Sequence, residues 1–530
     1  MTDYAQSVLG ARVYDVAIES PLDAMPRLSS RIGRTVFLKR EDLQPVFSFK
    51  LRGAYNKIVK LEASERERGV ICASAGNHAQ GVALAAQRLG IHATIVMPRT
   101  TPAIKIDAVK HLGGDVVLHG DTFDDAQEKA RELEAARGLV FVHPFDDPDV
   151  IAGQGTIGLE ILRQHPDPIE AIFVPIGGGG LAAGLAAFVK FLNPMVKVIG
   201  VEPSDAASMA AAIAQGQPVM LDQVGLFADG VAVRKVGEET YRLCRDLLDE
   251  VITVDVDAMC ASIKDIFDDT RSIAEPSGAL ALAGLKAYAE RRGAGNSSLV
   301  AVNSGANLNF DRLRTISDRA EVGEHREALL AVTVPEQPGS YRRFVRILGS
   351  RAVTEFNYRF ANGAMPAQLF VGIALSRGET EKKEVIAYLE GEGYPILDLS
   401  DNELAKTHVR YMVGGRAPHL QNELIYRFEF PERPGALLNF LESLAPTWNI
   451  SLFHYRNQGA DYGRILAGIE VRPDERSRFL DTLNTLGYPF WDETDNPAYR
   501  LFLSSRNSTA DTLTARIDHG VEAPESRGDT

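Results

Sequence analysis

Ala171-Ile172-Phe173-Val174-Pro175-Ile176-Gly177-Gly178-Gly179-Gly180-Leu181-Ala182-Ala183 reads as an apolar strand, a turn of four glycines and the opening of an Ala- and Leu-rich helix. In that order the backbone N–H groups of the turn, unshielded by side chains, face outward at the positive end of a helix dipole and can wrap a phosphate. A dinucleotide turn competes, but the spacing is not G-x-G-x-x-G, and the one acidic candidate at a following strand end is Glu202. Outward from this segment the same alternation continues. Apolar, β-branched runs at Ala93–Met97, Asp115–Leu118 and Leu139–Val142 precede it, and runs at Val198–Val201, Val251–Val254 and Leu299–Val302 follow. Near-continuous apolar strands separated by amphipathic helices predict parallel sheet covered on both faces, an α/β body. The pattern breaks at the charged stretch Arg319–Arg326, so a first domain is predicted over residues 1–322.

Beyond that break the chain repeats itself. Leu330-Ala331-Val332-Thr333-Val334-Pro335-Glu336-Gln337-Pro338-Gly339 returns as Tyr426-Arg427-Phe428-Glu429-Phe430-Pro431-Glu432-Arg433-Pro434-Gly435, with the Pro-Gly pairs offset by 434 − 338 = 96 residues. Phe356-Asn357-Tyr358-Arg359 returns as Phe453-His454-Tyr455-Arg456 at an offset of 97, and Gly393-Tyr394-Pro395 as Gly487-Tyr488-Pro489 at 94. Three matched landmarks predict a duplicated α+β module, over 328–400 and 423–495, each copy reading strand, turn, helix, strands and a second helix.

Composition narrows the partners. A length of 530 residues suggests about three or four domains. The net charge of −14, with no Lys/Arg-rich tract, argues against nucleic acid and anionic membranes as partners. No basic-then-apolar leader opens the chain and no stretch of about 18 apolar residues occurs, so a cytoplasmic location is expected. Cys72, Cys244 and Cys260 are scattered and odd in number, which fits core thiols and gives no metal site. The tail 507–530 has too few large apolar residues to order itself and is expected to be disordered.

Three further segments carry chemistry. Lys50, in Ser48-Phe49-Lys50-Leu51-Arg52-Gly53, lies where the strand ending in Lys39-Arg40-Glu41-Asp42 gives way to a helix, between two apolar neighbours. A lone lysine there reads as a solvated surface residue; a buried one offers an amine that forms an imine with an aldehyde. Ser74-Ala75-Gly76-Asn77-His78 follows the strand Val70–Ala73 and opens a helix, a place where a carboxylate is stabilised by about 0.3 to 2 kcal/mol, although the same residues also make an ordinary N-cap turn. Ser304-Gly305-Ala306-Asn307 closes the last apolar strand, where a hydroxyl could meet a ring nitrogen. An amine for an aldehyde and a cradle for a phosphate together point to pyridoxal 5'-phosphate, which carries both groups.

These segments together resemble the fold-type II pyridoxal-phosphate enzymes (tryptophan synthase β-like), and among them the biosynthetic threonine deaminases, over residues 1 to about 500. Glu275-Pro276-Ser277-Gly278-Ala279 and Val353-Thr354-Glu355-Phe356-Asn357-Tyr358-Arg359-Phe360 also match that family, and no functional position departs from it. The resemblance implies that Lys50 is the Schiff-base lysine and general base, that Asn77 hydrogen-bonds the cofactor's phenolic oxygen, and that Gly177, Gly178, Gly179, Gly180 and Leu181 bind its phosphate. Ser304 would face the ring nitrogen, and a serine there, in place of an aspartate, suits elimination better than transamination. Ser74, Ala75, Gly76, Asn77 and His78 would hold the substrate carboxylate. The implied reaction is dehydration and deamination of L-threonine to 2-oxobutanoate and ammonia, with L-serine to pyruvate as a side activity. The repeats resemble the family's ACT-like regulatory modules, implying inhibition by isoleucine, activation by valine and a homotetramer. Competing readings are another fold-type II activity such as serine racemisation, repeats that serve assembly alone, and a non-catalytic amino-acid sensor.

Overall fold

The computed structural model describes residues 4–337, 339–349, 351–359, 366–407, 409–412, 417, 420, 422–431, 436–443, 448–456, 462–496, 499 and 503. Pro338, Phe360, the Pro434-Gly435 pair and the tail 507–530 lie outside the described residues. The chain divides into two compact units, Met1–Gly323 and Glu324–Thr530, and the division falls within the charged stretch Arg319–Arg326. Among the described residues no helix is long and apolar enough to cross a membrane, and no group of His, Cys, Asp or Glu is placed to hold a metal ion. All three cysteines are buried and free.

The first unit contains strands β1 (Leu22–Ala24), β2 (Val36–Arg40), β3 (Val70–Ala73), β4 (Ala93–Met97), β5 (Asp115–Leu118), β6 (Val140–Phe141), β7 (Ile169–Pro175), β8 (Lys197–Pro203), β9 (Glu250–Val254) and β10 (Ser298–Asn303). They form two sheets, six strands in the order β1-β2-β10-β7-β8-β9 and four in the order β5-β4-β3-β6. Every neighbouring pair is parallel except β1 with β2. Strands β3, β4 and β10 are buried along their whole length, as parallel strands sheathed by helices must be. Parallel sheet was legible in the apolar runs. Its partition into two sheets was not, because a run of Val and Ile does not name the strand beside it.

Helices approach closely where side chains are missing. A Cβ on Gly153 would lie 2.7 Å from Cα of Gly53, so the helix Lys50–Ile58 crosses the helix Pro148–Gln164 almost backbone to backbone. A Cβ on Gly81 would lie 3.0 Å from the backbone of Lys50 and Leu51, which lets the helix Asn77–Leu89 lie against the first turn carrying the lysine.

In the second unit both copies trace strand, helix, two strands, helix, strand. The first has β11 (Glu327–Val334), β12 (Val353–Arg359), β13 (Ala367–Ala374) and β14 (Ile396–Asp398); the second has β15 (Glu423–Pro431), β16 (Asn449–Arg456), β17 (Tyr462–Glu470) and β18 (Phe490–Asp492). All eight strands join in one sheet, β14-β11-β13-β12-β16-β17-β15-β18. The copies meet through β12 and β16, antiparallel, with Phe356 opposite Tyr455, Asn357 opposite His454 and Tyr358 opposite Phe453. Those are the repeated segments themselves, so a pseudo-twofold axis passes through the Asn357–His454 pair. Aromatic rings follow the same symmetry. Phe344 packs on Phe356, Phe356 on Phe453 at 5.5 Å between centroids, and Phe453 on Phe440, which matches Phe344 in the other copy. One apolar core therefore spans both copies.

Candidate active site

All four chemistry-bearing segments lie at the carboxyl ends of parallel strands, where open α/β sheets place their ligands. Lys50 comes after β2, Ser304–Asn307 after β10 and Gly177–Gly180 after β7, three adjacent strands of the six-stranded sheet; Ser74–Asn77 comes after β3 of the other. Chain segments more than 250 residues apart are then stitched directly. Phe49 N donates to Ser304 O at 3.2 Å and Ala306 N to Phe47 O at 2.9 Å, so the residues before Lys50 run beside Ser304-Gly305-Ala306. Phe47 sits in the left-handed region at φ 54°, a costly conformation for a bulky residue that these flanking bonds hold in place.

Lys50 begins the helix Lys50–Ile58, and its Nζ donates to Pro144 O at 2.9 Å. Desolvation lowers its pKa to about 8 against the opposing pull of the Glu275 carboxylate, so neutral amine is accessible near physiological pH. Two imidazoles nearby add no positive charge. Burial lowers His78 to about 3 and His143 to about 4. Neutral His78 donates from Nε2 to Val142 O at 2.9 Å, while His143 Nδ1 accepts from Asp146 N at 2.7 Å.

The glycine turn leads into the helix Gly180–Leu192, whose first residue is the last of the four glycines. Gly179 has φ 95°, a conformation open to glycine. A Cβ on Gly178 would fall 2.2 Å from the Phe145 ring, and one on Gly180 would fall 2.8 Å from Phe145 O. Thr240 Oγ1 donates to Gly178 O at 2.7 Å and fixes the turn from behind. The N–H groups of Gly177 through Leu181 donate to no protein acceptor among the described residues, so five consecutive donors are left for an anion. Glu202, the dinucleotide candidate, instead accepts from Met209 N and Ala210 N and caps the helix Ser208–Gln215.

Ser74 to Asn77 are half-buried, and beside Gly76 there is open space where a side chain would go. Gly76 N is committed to Ser74 Oγ at 3.2 Å, whereas the N–H groups of Ala75, Asn77 and His78 have no protein acceptor among the described residues. His78 thus offers its backbone there, its ring being tied to Val142. Asn77 Nδ2 donates to Glu275 Oε1 at 2.6 Å, and Asn307 Nδ2 donates to Asn77 Oδ1 at 2.6 Å. Glu275 also accepts from Ser277 Oγ at 2.8 Å, and Ser304 Oγ donates to Ser277 O at 3.2 Å. Burial raises the Glu275 pKa above the usual carboxylate range.

Sequence reasoning quoted Glu275 and Asn307 as parts of motifs and gave neither a role. It missed Pro144, Phe145 and Thr240 altogether, since a carbonyl, a ring against a glycine and a hydroxyl from a distant helix leave no local signal. It also missed the charge cluster beneath the lysine. Arg52, fully buried, meets Glu41 at 2.8 Å and Glu160 at 2.6 Å, and Lys39 meets Glu160 at 2.6 Å.

Residues 13–305 match a family of pyridoxal-phosphate-dependent enzymes, and residues 318–409 and 414–503 each match the C-terminal regulatory domain of threonine dehydratase. The L-threonine dehydratase biosynthetic IlvA of Burkholderia multivorans is 59% identical over 505 residues, covering 95% of this chain and 99% of that protein. Its Escherichia coli counterpart is 55% identical over 502 residues, with 95% and 97% covered. Among solved structures, the processed form of threonine deaminase isoform 2 from Solanum lycopersicum aligns with TM-score 0.59 and 55% identity, over 60% of this chain and 92% of that one. Maize serine racemase aligns with TM-score 0.56 and 32% identity, over 61% and 98%.

Proposed function

From its membership of the biosynthetic threonine dehydratases, a family of pyridoxal-phosphate-dependent lyases, we propose that this chain converts L-threonine to 2-oxobutanoate and ammonia, the committed step of isoleucine biosynthesis, and L-serine to pyruvate more slowly. The observation that carries the reading is the convergence on one site of a desolvated lysine amine, five uncommitted N–H donors at a glycine turn and an anion-receptive helix start.

The residues present fit the cofactor. Gly177–Leu181 would hold its phosphate with the free donors, and packing against Phe145, Val231 and Thr240 keeps side chains out of that turn. Asn77 would meet the phenolic oxygen and Ser304 the ring nitrogen; the Ser304 hydroxyl's present bond, at 3.2 Å, is long enough to exchange. Once bound, the cofactor supplies an electron sink for negative charge at the substrate's α-carbon. Lys50 is the base that takes the α-proton at Nζ, a contribution of about 10²- to 10⁴-fold. Its lowered pKa and the neutral state of His78 and His143 leave that nitrogen able to accept. The N–H groups of Ala75, Asn77 and His78 orient the substrate carboxylate, which fixes the α-carbon relative to the base.

The domain assignment follows, with catalysis in 1–322 and two regulatory modules in 328–400 and 423–495. We assign isoleucine as inhibitor and valine as activator, a cytoplasmic location and a homotetramer; the duplicated regulatory domain supports effector binding, and effector control requires two states that bind the effectors unequally. The similarity to serine racemase spans about the length of the first unit, whereas the dehydratases match across both, which favours dehydration.

Holoenzyme given L-threonine should release 2-oxobutanoate, less of it with isoleucine present and more again when valine is added. Lys50→Ala should lower the rate by about 10⁴-fold with circular dichroism unchanged. Absence of keto acid from the wild type would overturn the reading.

A further inference from the structure

The hydrogen bonds around Asn77 form a line with only one consistent polarity. Asn307 Nδ2 donates at once to Val46 O, at 2.8 Å, and to Asn77 Oδ1, at 2.6 Å. A backbone carbonyl can only accept, so the Asn307 carboxamide must present nitrogen on that side. Asn77 must answer with its oxygen, and its nitrogen is then turned to Glu275, 2.6 Å away. Glu275 Oε1 accepts this bond and one from Ser277 Oγ, and it can accept both whether or not the other carboxyl oxygen carries a proton. The direction of the line is therefore anchored at the main chain of Val46, four residues before Lys50 begins its helix. One of the two Asn77 amide hydrogens has no partner among the described residues.

We propose that Asn307 and Glu275 are positioning residues that hold the Asn77 carboxamide so that it offers a nitrogen donor, and no acceptor, to the phenolic oxygen of the cofactor. This rests on the reading that Asn77 faces that oxygen. A donor there favours the ionised phenolate, and the oxygen of a reversed amide would repel it. Asn307 thus sets the ionic state of a group it does not touch, and Glu275 keeps the donor from turning away.

The test reads the bound cofactor rather than turnover. Apoenzyme is titrated with pyridoxal phosphate at fixed pH, following the dissociation constant and the position of the visible absorption band, for wild type, Asn307→Asp, Asn77→Asp and Asn56→Ala. Asn307→Asp removes the donor to Val46 and Asn77. It should weaken cofactor binding about tenfold, the worth of one hydrogen bond to a charged oxygen, and move the band to the shorter wavelength of the protonated phenol. Should that variant not fold, Asn307→Ala, which removes the donor without adding charge, is read in the same way. Asn56→Ala removes bonds to Arg12 N and Asp149 O at the far end of the lysine's helix, and should lower thermal stability while leaving the band in place. A band unmoved in both Asn307 variants while Asn77→Asp moves it would overturn the proposal and leave the reading of Asn77 standing. A band unmoved in Asn77→Asp would overturn the reading itself.

Discussion

The two units solve the problem of buried charge in opposite ways. In the first, one cluster serves one site. Lys39, Arg52, Glu41 and Glu160 neutralise each other around the helix of Lys50, drawn from three stretches of chain, and among the described residues of the unit no second copy of that cluster occurs. In the second, the cluster is duplicated. Glu327 accepts from Thr354 beside Gly372, and at the matching positions Glu423 accepts from Ser451 beside Gly468. The cations then differ. Arg410, from beyond the first copy, pairs with Glu327 and Glu355, whereas Glu423 of the second copy is paired by Arg359 of the first. Leu452 stands where Glu355 would be matched. A one-off site is wired for a single geometry; a duplicated fold keeps its carboxylates and lets the wiring diverge, which makes two equivalent modules inequivalent.

That contrast can be broken at several points. The largest effect should come from Arg52→Met, which strands Glu41 in the core without a cation and leaves Glu160 to Lys39 alone. About 3 to 5 kcal/mol should be lost from the first unit, measured as a fall in its denaturant midpoint, with cofactor binding lost alongside. If Arg52→Met melts like wild type, the cluster is not structural. Next, Arg359→Ala should cost about 3 kcal/mol, and hydrogen exchange should show the loss in β15 and β17 of the other copy as well as in β12. Protection lost in β12 alone would mean that the bond across the pseudo-axis does not couple the copies.

Acid should separate the units further. His78 and His143 have folded pKa values below the ordinary 6.5, at about 3 and about 4, so the unfolded chain binds more protons than the folded one between those values and 6.5. Stability contributed by their neutral forms is complete above 6.5 and is lost as pH falls, about 2 kcal/mol for each at pH 5. The two histidines should thus weaken the first unit from pH 7 to 5, opposed by Glu202, whose pKa burial raises to about 7 and whose protonated form adds stability as pH falls, and His143→Gln should lessen the histidine loss in urea titrations. The smallest expected effect is that of Thr240→Val, which removes the bond to Gly178 O. A loss of about 1 kcal/mol, read as weaker cofactor affinity with little change in melting, would separate support of the glycine turn from general packing.

Reading the chain in order recovered the strands that carry the site because the Ser74, Gly177 and Ser304 motifs sit immediately after an apolar run and Lys50 follows its strand by ten residues, and a parallel strand ends where its ligand begins. It recovered the duplication because both copies kept the residues at their shared seam, Phe356 to Arg359 and Phe453 to Arg456. Glu275 and Asn307 stayed silent, since a carboxylate before a proline and an asparagine in a turn look like capping residues until the fold brings Asn77 between them. Arg52 stayed silent for a related reason: a charged residue in a helix looks solvated unless its partners, Glu41 and Glu160, are known to share its interior.

Local pattern fixed the α/β class, the repeat and the positions of Lys50, the glycine turn and Ser304, because strand period, glycine content and turn chemistry are properties of neighbouring residues. Tertiary structure alone decided that the apolar runs split into two sheets, that the copies join across β12 and β16 in a single core, and that the amide of Asn77 points its nitrogen away from Asn307. Those outcomes depend on hydrogen bonds and ion pairs between residues up to some 260 positions apart, whose partners are set only when the backbone has closed around them.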